Sequence, residues 1–280
     1  MAQARVPRQP PGWLSGDLRA RFDPVVAILA PPRSGSTALG RSLWQHPLIR
    51  YYLHEPFDRC YHDGLPPSAQ EMLGSVLDRD GTSQASGIVV KEMTFQAGDA
   101  APELLSATRL PVILLVRDPR LAVSSRMRKR EADGQQPAFP AREAGWQDLR
   151  AIGGMLRHRG AGYVVIDISD VRRCPARALA ALCERLGLAW DEALLSWPAA
   201  AGLQLGQLDG RQARWYERVL SSTGFEPPQE EVPGPGYFRA RGMADVVDEC
   251  LACYEEALAD PRLVAVNGPA LVPADTWWRR

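Results

Sequence analysis

The chain has 280 residues, 45% of them hydrophobic and 24% charged, which is enough for one sizeable core but hardly for two full domains. Lys+Arg and Asp+Glu balance at 33 each, so no global field draws nucleic acid or an anionic membrane, and any anion must be held by a local site. No apolar run approaches the roughly 18 residues of a membrane helix, residues 1–21 hold no apolar signal core, and five cysteines fit reduced thiols better than a disulfide framework, so a cytoplasmic protein is expected.

Residues 1–22 read as a flexible arm, with Trp13 and Leu14 available to dock, and a single domain is expected over 23–280. Six apolar residues in a row, 25–30, suit a strand buried on both faces. A short polar loop follows, and then Ala38, Leu39, Leu43 and Trp44 at helical spacing. A strand–loop–helix unit of this kind aims backbone N–H groups and the positive end of a helix dipole at one point. Arg33 adds a fixed charge, Gly35 lets the backbone approach a ligand, and Ser34, Ser36 and Thr37 offer hydroxyls. The loop is built to hold a phosphate. It is not the nucleotide-hydrolysing loop G-x-x-x-x-G-K-[ST], because it has one glycine and no Gly-Lys-Ser.

His46-Pro47 ends the first helix, and 49–53 is a short strand leading into His54-Glu55-Pro56-Phe57. A helix over 68–78 has Ser68 as its N-cap; 81–87 is a loop, 88–94 a strand and 101–107 a short helix. The run 110–116 is a second buried strand, delivering Arg117 and then a helix over 121–132 that carries Ser125. The Gly-, Gln- and Pro-rich stretch 133–140 is a flexible connection, 141–158 a helix, 162–166 a strand and 175–188 an amphipathic helix opened by proline. Periodicity then weakens over 199–240, which gathers turn formers with Trp215, Tyr216 and Phe225 and is the candidate lid or acceptor loop. A last helix is expected over 239–258; Cys250 and Cys253 lie within it and are read as buried small residues rather than metal or redox ligands. Alternating strands and helices predict an α/β single domain, a mainly parallel central sheet flanked by helices, P-loop-like, with its ligand at the carboxyl ends of the strands.

The loop P-x-[RK]-S-G-[ST]-[ST] at 31–37 resembles the 5′-phosphosulfate loop of sulfotransferases that use 3′-phosphoadenosine-5′-phosphosulfate (PAPS). Arg117 at a strand end, with Ser125 eight positions on, resembles the 3′-phosphate segment of the same family. His54-Glu55-Pro56-Phe57 is similar to a Glu-Pro-Phe-like segment of bacterial and carbohydrate members, and Val90-Lys91-Glu92-Met93 resembles the Lys-x-His strand of cytosolic ones. Phe238-Arg239-Ala240-Arg241-Gly242 resembles, in part, an Arg-Lys-Gly loop near the 3′-phosphate.

The resemblance implies PAPS as co-substrate, no metal, and in-line transfer of a sulfuryl group to a hydroxyl, less readily an amine, of a small-molecule acceptor. It assigns the donor to Arg33, Ser34, Gly35, Ser36, Thr37, Arg117, Ser125 and Arg241, and catalysis to Arg33, Lys91, Glu55 and His54. One departure matters: Met93 stands where cytosolic members have histidine, and a thioether accepts no proton. The base is therefore expected to be Glu55, with His54 second. Two other readings stay open. One is a kinase or nucleotide hydrolase of the wider P-loop group, and the other is a nucleotide-binding protein without catalysis. Neither nucleic acid nor membrane is an expected partner, and the acceptor's identity and the oligomeric state are not legible.

Overall fold

Apolar runs buried on both faces become the middle of the sheet. The computed structural model describes residues 12–79, 84–207, 214–228 and 231–266. Its strands are β1 (Val25–Ala30), β2 (Ile49–His54), β3 (Leu77–Asp78), β4 (Gly87–Met93), β5 (Val112–Val116) and β6 (Tyr163–Asp167). They form one six-stranded sheet in the order β3-β2-β4-β1-β5-β6, parallel throughout except where β3 pairs with β2. Every residue of β1 and β5 is buried. Successive side chains point to opposite faces, so Val25, Ala27 and Leu29 enter one core and Val26, Ile28 and Ala30 the other. The α/β class with a mainly parallel sheet is what the alternating pattern required.

The helices in chain order are α1 (Ser15–Arg21), α2 (Ser36–Leu43), α3 (Asp58–His62), α4 (Ala69–Gly74), α5 (Thr94–Ala97), α6 (Ala101–Ala107), α7 (Pro119–Ala132), α8 (Trp146–His158), α9 (Ile168–Arg173) and α10 (Pro175–Leu186), followed by Glu217–Ser221, Pro235–Arg239 and Ala244–Leu258. Leu18, Leu104, Met127, Leu149 and Val247 from α1, α6, α7, α8 and the closing helix fill the first core. Leu39 and Leu43 of α2 and Leu179 and Leu182 of α10 fill the second. The chain leaves β1 for β2, β3 and β4 on one side and returns for β5 and β6 on the other. The carboxyl ends of β4, β1 and β5 therefore frame a crevice of the sort in which open α/β sheets bind ligands.

Several expected boundaries are corrected. Residues 15–21 of the expected arm are helical, with Leu14 and Leu18 fully buried, while residues 1–11 lie outside the described residues. Glu103 accepts hydrogen bonds from the backbone N–H groups of Gly12, Leu14 and Ser15 at 2.9, 3.1 and 3.1 Å, which pins this helix start to α6. The helix expected over 68–78 stops at Gly74, and Leu77–Asp78 becomes the antiparallel edge strand, held by Arg50 on Asp78 at 2.6 Å. The expected helix 141–158 is broken at Gly145, whose φ is +77°. A Cβ there would lie 2.7 Å from Thr94 Oγ1 and 2.9 Å from Pro32 Cδ, so only glycine lets this turn seat against the loop that follows β1. The last helix, expected over 239–258, begins only at Ala244, after Gly242 at φ +68°, and a separate short helix, Pro235–Arg239, lies within the expected lid. Short α9 had no periodic signal; the Asp167 side chain caps it by accepting the Ser169 N–H at 2.6 Å. Cys250 and Cys253 are buried free thiols on the closing helix.

Candidate active site

The loop after β1 turns at Arg33 (φ +63°) and Gly35 (φ +79°) before α2 begins. A Cβ on Gly35 would lie 2.8 Å from Ile168 Cγ1, so the glycine serves both the turn and the approach of α9. The Arg117 guanidinium, delivered by β5, donates through Nη1 to the carbonyl of Arg33 at 2.9 Å. Arg33 in turn donates through Nε to Ser125 Oγ on α7 at 3.2 Å, and through Nη1 to the Trp215 carbonyl at 3.2 Å. The two segments proposed for the two ends of one ligand thus meet, although 84 residues separate them in the chain. They border a cavity of about 220 Å³, also lined by Gly35, Ser36, Thr37 and Lys91. Ser34 points inward instead; its hydroxyl is buried and has no hydrogen-bond partner among the described residues.

Beneath that cavity lies a buried polar cluster. Lys91, 1% exposed, donates to Glu55 Oε1, and the Tyr216 hydroxyl donates to the same oxygen at 2.6 Å. His54 Nε2 stands 3.2 Å from it, and His54 Nδ1 is 2.8 Å from the Tyr52 hydroxyl. The Glu55 N–H donates to the Lys91 carbonyl at 2.7 Å. Glu92, on the other side of β4, accepts the N–H groups of Phe57 and Met93 at 2.7 and 2.6 Å. These bonds pin the turn 55–57 onto β4. Among the described residues only Arg33 and Glu55 have positive φ without being glycine, +63° and +46°. Such strain persists where the surroundings over-determine it, and here both residues sit at the same site.

Charge follows from these contacts. Burial alone would raise the Glu55 carboxyl, but Lys91 and His54 outweigh it and hold the group well below the usual carboxylate range. Burial pushes the His54 imidazole down against the pull of Glu55. Burial and then the Glu55 charge push the Tyr216 phenol well up. Burial also lowers the Arg33 guanidinium, with Tyr216 and Glu55 opposing.

The sequence-derived residues are therefore gathered, with two qualifications. Neither Glu55 nor His54 lines the cavity; Lys91, Met93 and Tyr216 do. Arg241 is not brought to it. Its Nε pairs with Glu131 at 3.2 Å near the far end of α7 and its guanidinium stacks on Tyr237 at 4.0 Å. Motif reading missed Tyr216, whose only signal was an aromatic in the irregular stretch, and also Arg126, Arg172 and Arg218 of the cavity wall, which carry no motif.

That stretch covers the cavity where it is described. Lys129 donates to the Arg214 carbonyl at 3.0 Å and Trp215 Nε1 to Asp133 at 2.9 Å, so α7 holds it from one side. Arg41 of α2 donates to the carbonyls of Val219 and Leu220 from the other. Residues 208–213 and 229–230 of the expected lid lie outside the described residues. Among the described residues no group of three or more His, Cys, Asp or Glu is placed to hold a metal ion, and no helix is long and apolar enough to cross a membrane.

A family model described as the sulfotransferase domain matches residues 112–255, just over half of the chain. The chain belongs to the sulfotransferase family. The matched span includes Arg117 and Ser125 and begins after the Arg33 loop. This sulfotransferase chain is 29% identical over 220 residues to branched-chain-amino-acid aminotransferase-like protein 1 of Arabidopsis thaliana, covering 74% of the chain and 37% of that protein. It is 31% identical over 113 residues to the aminotransferase-like protein 2 of the same plant, covering 40% of the chain and 19% of that protein. The chain thus spans less than two fifths of the length of these curated relatives. The sulfotransferase domain from the Synechococcus PCC 7002 olefin synthase shares its fold, with a TM-score of 0.51 at 18% identity over 85% of this chain and 96% of that one.

Proposed function

We propose that the protein transfers a sulfuryl group from PAPS to a hydroxyl, less readily an amine, of a small-molecule acceptor. The observation that carries this reading is the hydrogen bond from Arg117 to the Arg33 carbonyl, which brings the two segments read as anion-binding together at a cavity that Lys91 also lines. The loop 33–37 holds the 5′-phosphosulfate on backbone N–H groups and hydroxyls. Arg117 forks onto the 3′-phosphate, and Ser125 adds a donor. Arg33 and Lys91 stabilise the charge that develops on the bridging phosphate oxygen, and the carboxylate of Glu55, or failing it His54, is the sink for the acceptor's proton. The chemistry calls for no metal, and the balanced net charge favours a small soluble acceptor met in the cytoplasm.

The test gives purified protein ³⁵S-labelled PAPS with a metabolite extract and identifies labelled products by mass spectrometry. A discrete labelled product, lost in Lys91→Met while nucleotide binding persists, is expected. Nucleotide binding without any transfer would support the non-catalytic reading, and magnesium-dependent ATP turnover the kinase or hydrolase reading.

A further inference from the structure

The candidate bases do not border the cavity, whereas the residue that hydrogen-bonds one of them does. Tyr216 lines it beside Arg33, Lys91 and Met93, and its hydroxyl reaches Glu55 Oε1 at 2.6 Å. Glu55 itself is 1% exposed and His54 0%. Of the three groups around Glu55 Oε1, Lys91 and Tyr216 line the cavity and His54 does not. An ammonium has three donors and no acceptor, so it takes no proton; a phenol oxygen both donates and accepts.

We propose that Tyr216 is a catalytic residue of this site: its oxygen receives the acceptor's proton while its own proton passes to Glu55. The inference rests on the PAPS reading above and names the group that faces the acceptor. The phenol is held for the task. His54 packs edge-on against its ring with centroids 4.9 Å apart, and the preceding residue, Trp215, is tied to Arg33 through its carbonyl and to Asp133 through its indole. Buried beside the Glu55 charge, the phenol stays protonated at neutral pH, which suits a relay rather than a tyrosinate base.

The step balances. The acceptor oxygen bonds to sulfur, and the bond from sulfur to the bridging oxygen breaks, its electron pair remaining on the 5′-phosphate. The acceptor's proton goes to the Tyr216 oxygen and the Tyr216 proton to Glu55 Oε1. Lys91 and His54 hold the Glu55 carboxyl low while the ammonium is paired with it; as negative charge appears on the departing phosphate, Lys91 turns to that charge, and the carboxylate, without its counter-ion, keeps the proton. The proton returns to solvent by the reverse route after the products leave.

Water serves as the acceptor in the test, because it needs no knowledge of the natural one. Excess protein is mixed with PAPS, and release of adenosine 3′,5′-bisphosphate (PAP) is followed in a single turnover for wild type, Tyr216→Phe, Glu55→Gln and the double variant; PAP affinity is measured by calorimetry. Phenylalanine keeps the ring against His54. Tyr216→Phe is expected to slow release by about 10²–10⁴-fold with PAP affinity within about twofold of wild type, and the double variant to be no slower than Glu55→Gln, since residues of one relay act as a unit. Should Tyr216→Phe fold poorly, the wild type alone decides: in mixed H₂O and D₂O a relay moves two protons and gives a curved rate dependence. A Tyr216→Phe rate within about twofold of wild type, a linear dependence, or a wild type that binds PAP yet releases none faster than buffer would overturn the proposal. Failure to bind PAP removes the donor reading, and this inference with it.

Discussion

Glu55 is a buried carboxylate with three neighbours on one oxygen, Lys91, Tyr216 and His54, and its other oxygen has no hydrogen-bond partner among the described residues. Because its carboxyl is held below the usual range, the stability it contributes is complete above its unfolded value of about 4.3 and is lost as pH falls through the folded value. Glu55→Gln is expected to cost about 3 kcal/mol at pH 7, as for breaking a buried pair, with the difference from wild type shrinking below about pH 5. Urea midpoints at pH 7 and pH 3 check this; a difference equal at both would contradict it. Gly35→Ala places a methyl against Ile168 at a φ of +79°, and a loss of about 1–3 kcal/mol together with weaker PAP binding is expected in the same titrations. Arg33, Lys91 and Arg117 stood out in the sequence because each is on, or just after, an apolar strand run, and Ser125 by its spacing from Arg117 along the next helix. Tyr216 was not, because it meets Glu55 across 161 residues and no local period marks that contact.

Elements buried on both faces, β1 and β5, were legible as unbroken apolar runs, whereas β3, α5 and α9 are too short to show a period. The breaks at Gly145 and Gly242 were missed for a different reason. A glycine within a helical pattern is compatible with continuing it, and the contact that forbids a side chain at Gly145 comes from Thr94 and Pro32, distant in the chain. Gly145→Ala is expected to lower stability by about 1–3 kcal/mol through strain at a positive φ, read as a shifted urea midpoint. The covering stretch depends on α2 through Arg41, which is 2% exposed, does not line the cavity, and donates to carbonyls at 219 and 220. Arg41→Met leaves those carbonyls short of a donor. Faster proteolysis within 198–222 and a loss of about 1–3 kcal/mol are expected, while wild-type cleavage rates would contradict this account of the cover.

A chain of formal net charge zero gathers Arg33, Lys91, Arg117, Arg126, Arg172 and Arg218 around one cavity, with Glu226 as the opposing carboxylate in its wall. Local placement rather than global charge gathers these cations, at the crevice between β4, β1 and β5. A ligand that binds only the folded chain stabilises it by mass action, so PAP at 100 times its dissociation constant is expected to add about 2.7 kcal/mol to stability, visible as a raised melting temperature. The central claim is that Arg33 and Arg117 hold the two phosphate ends of one adenosine nucleotide. Calorimetric titration with PAP, set beside adenosine 5′-phosphate, tests it most directly. One PAP per chain is expected, bound about 100-fold tighter than the monophosphate, with Arg117→Ala erasing that preference. Equal binding of the two nucleotides, or no heat with either, would contradict it.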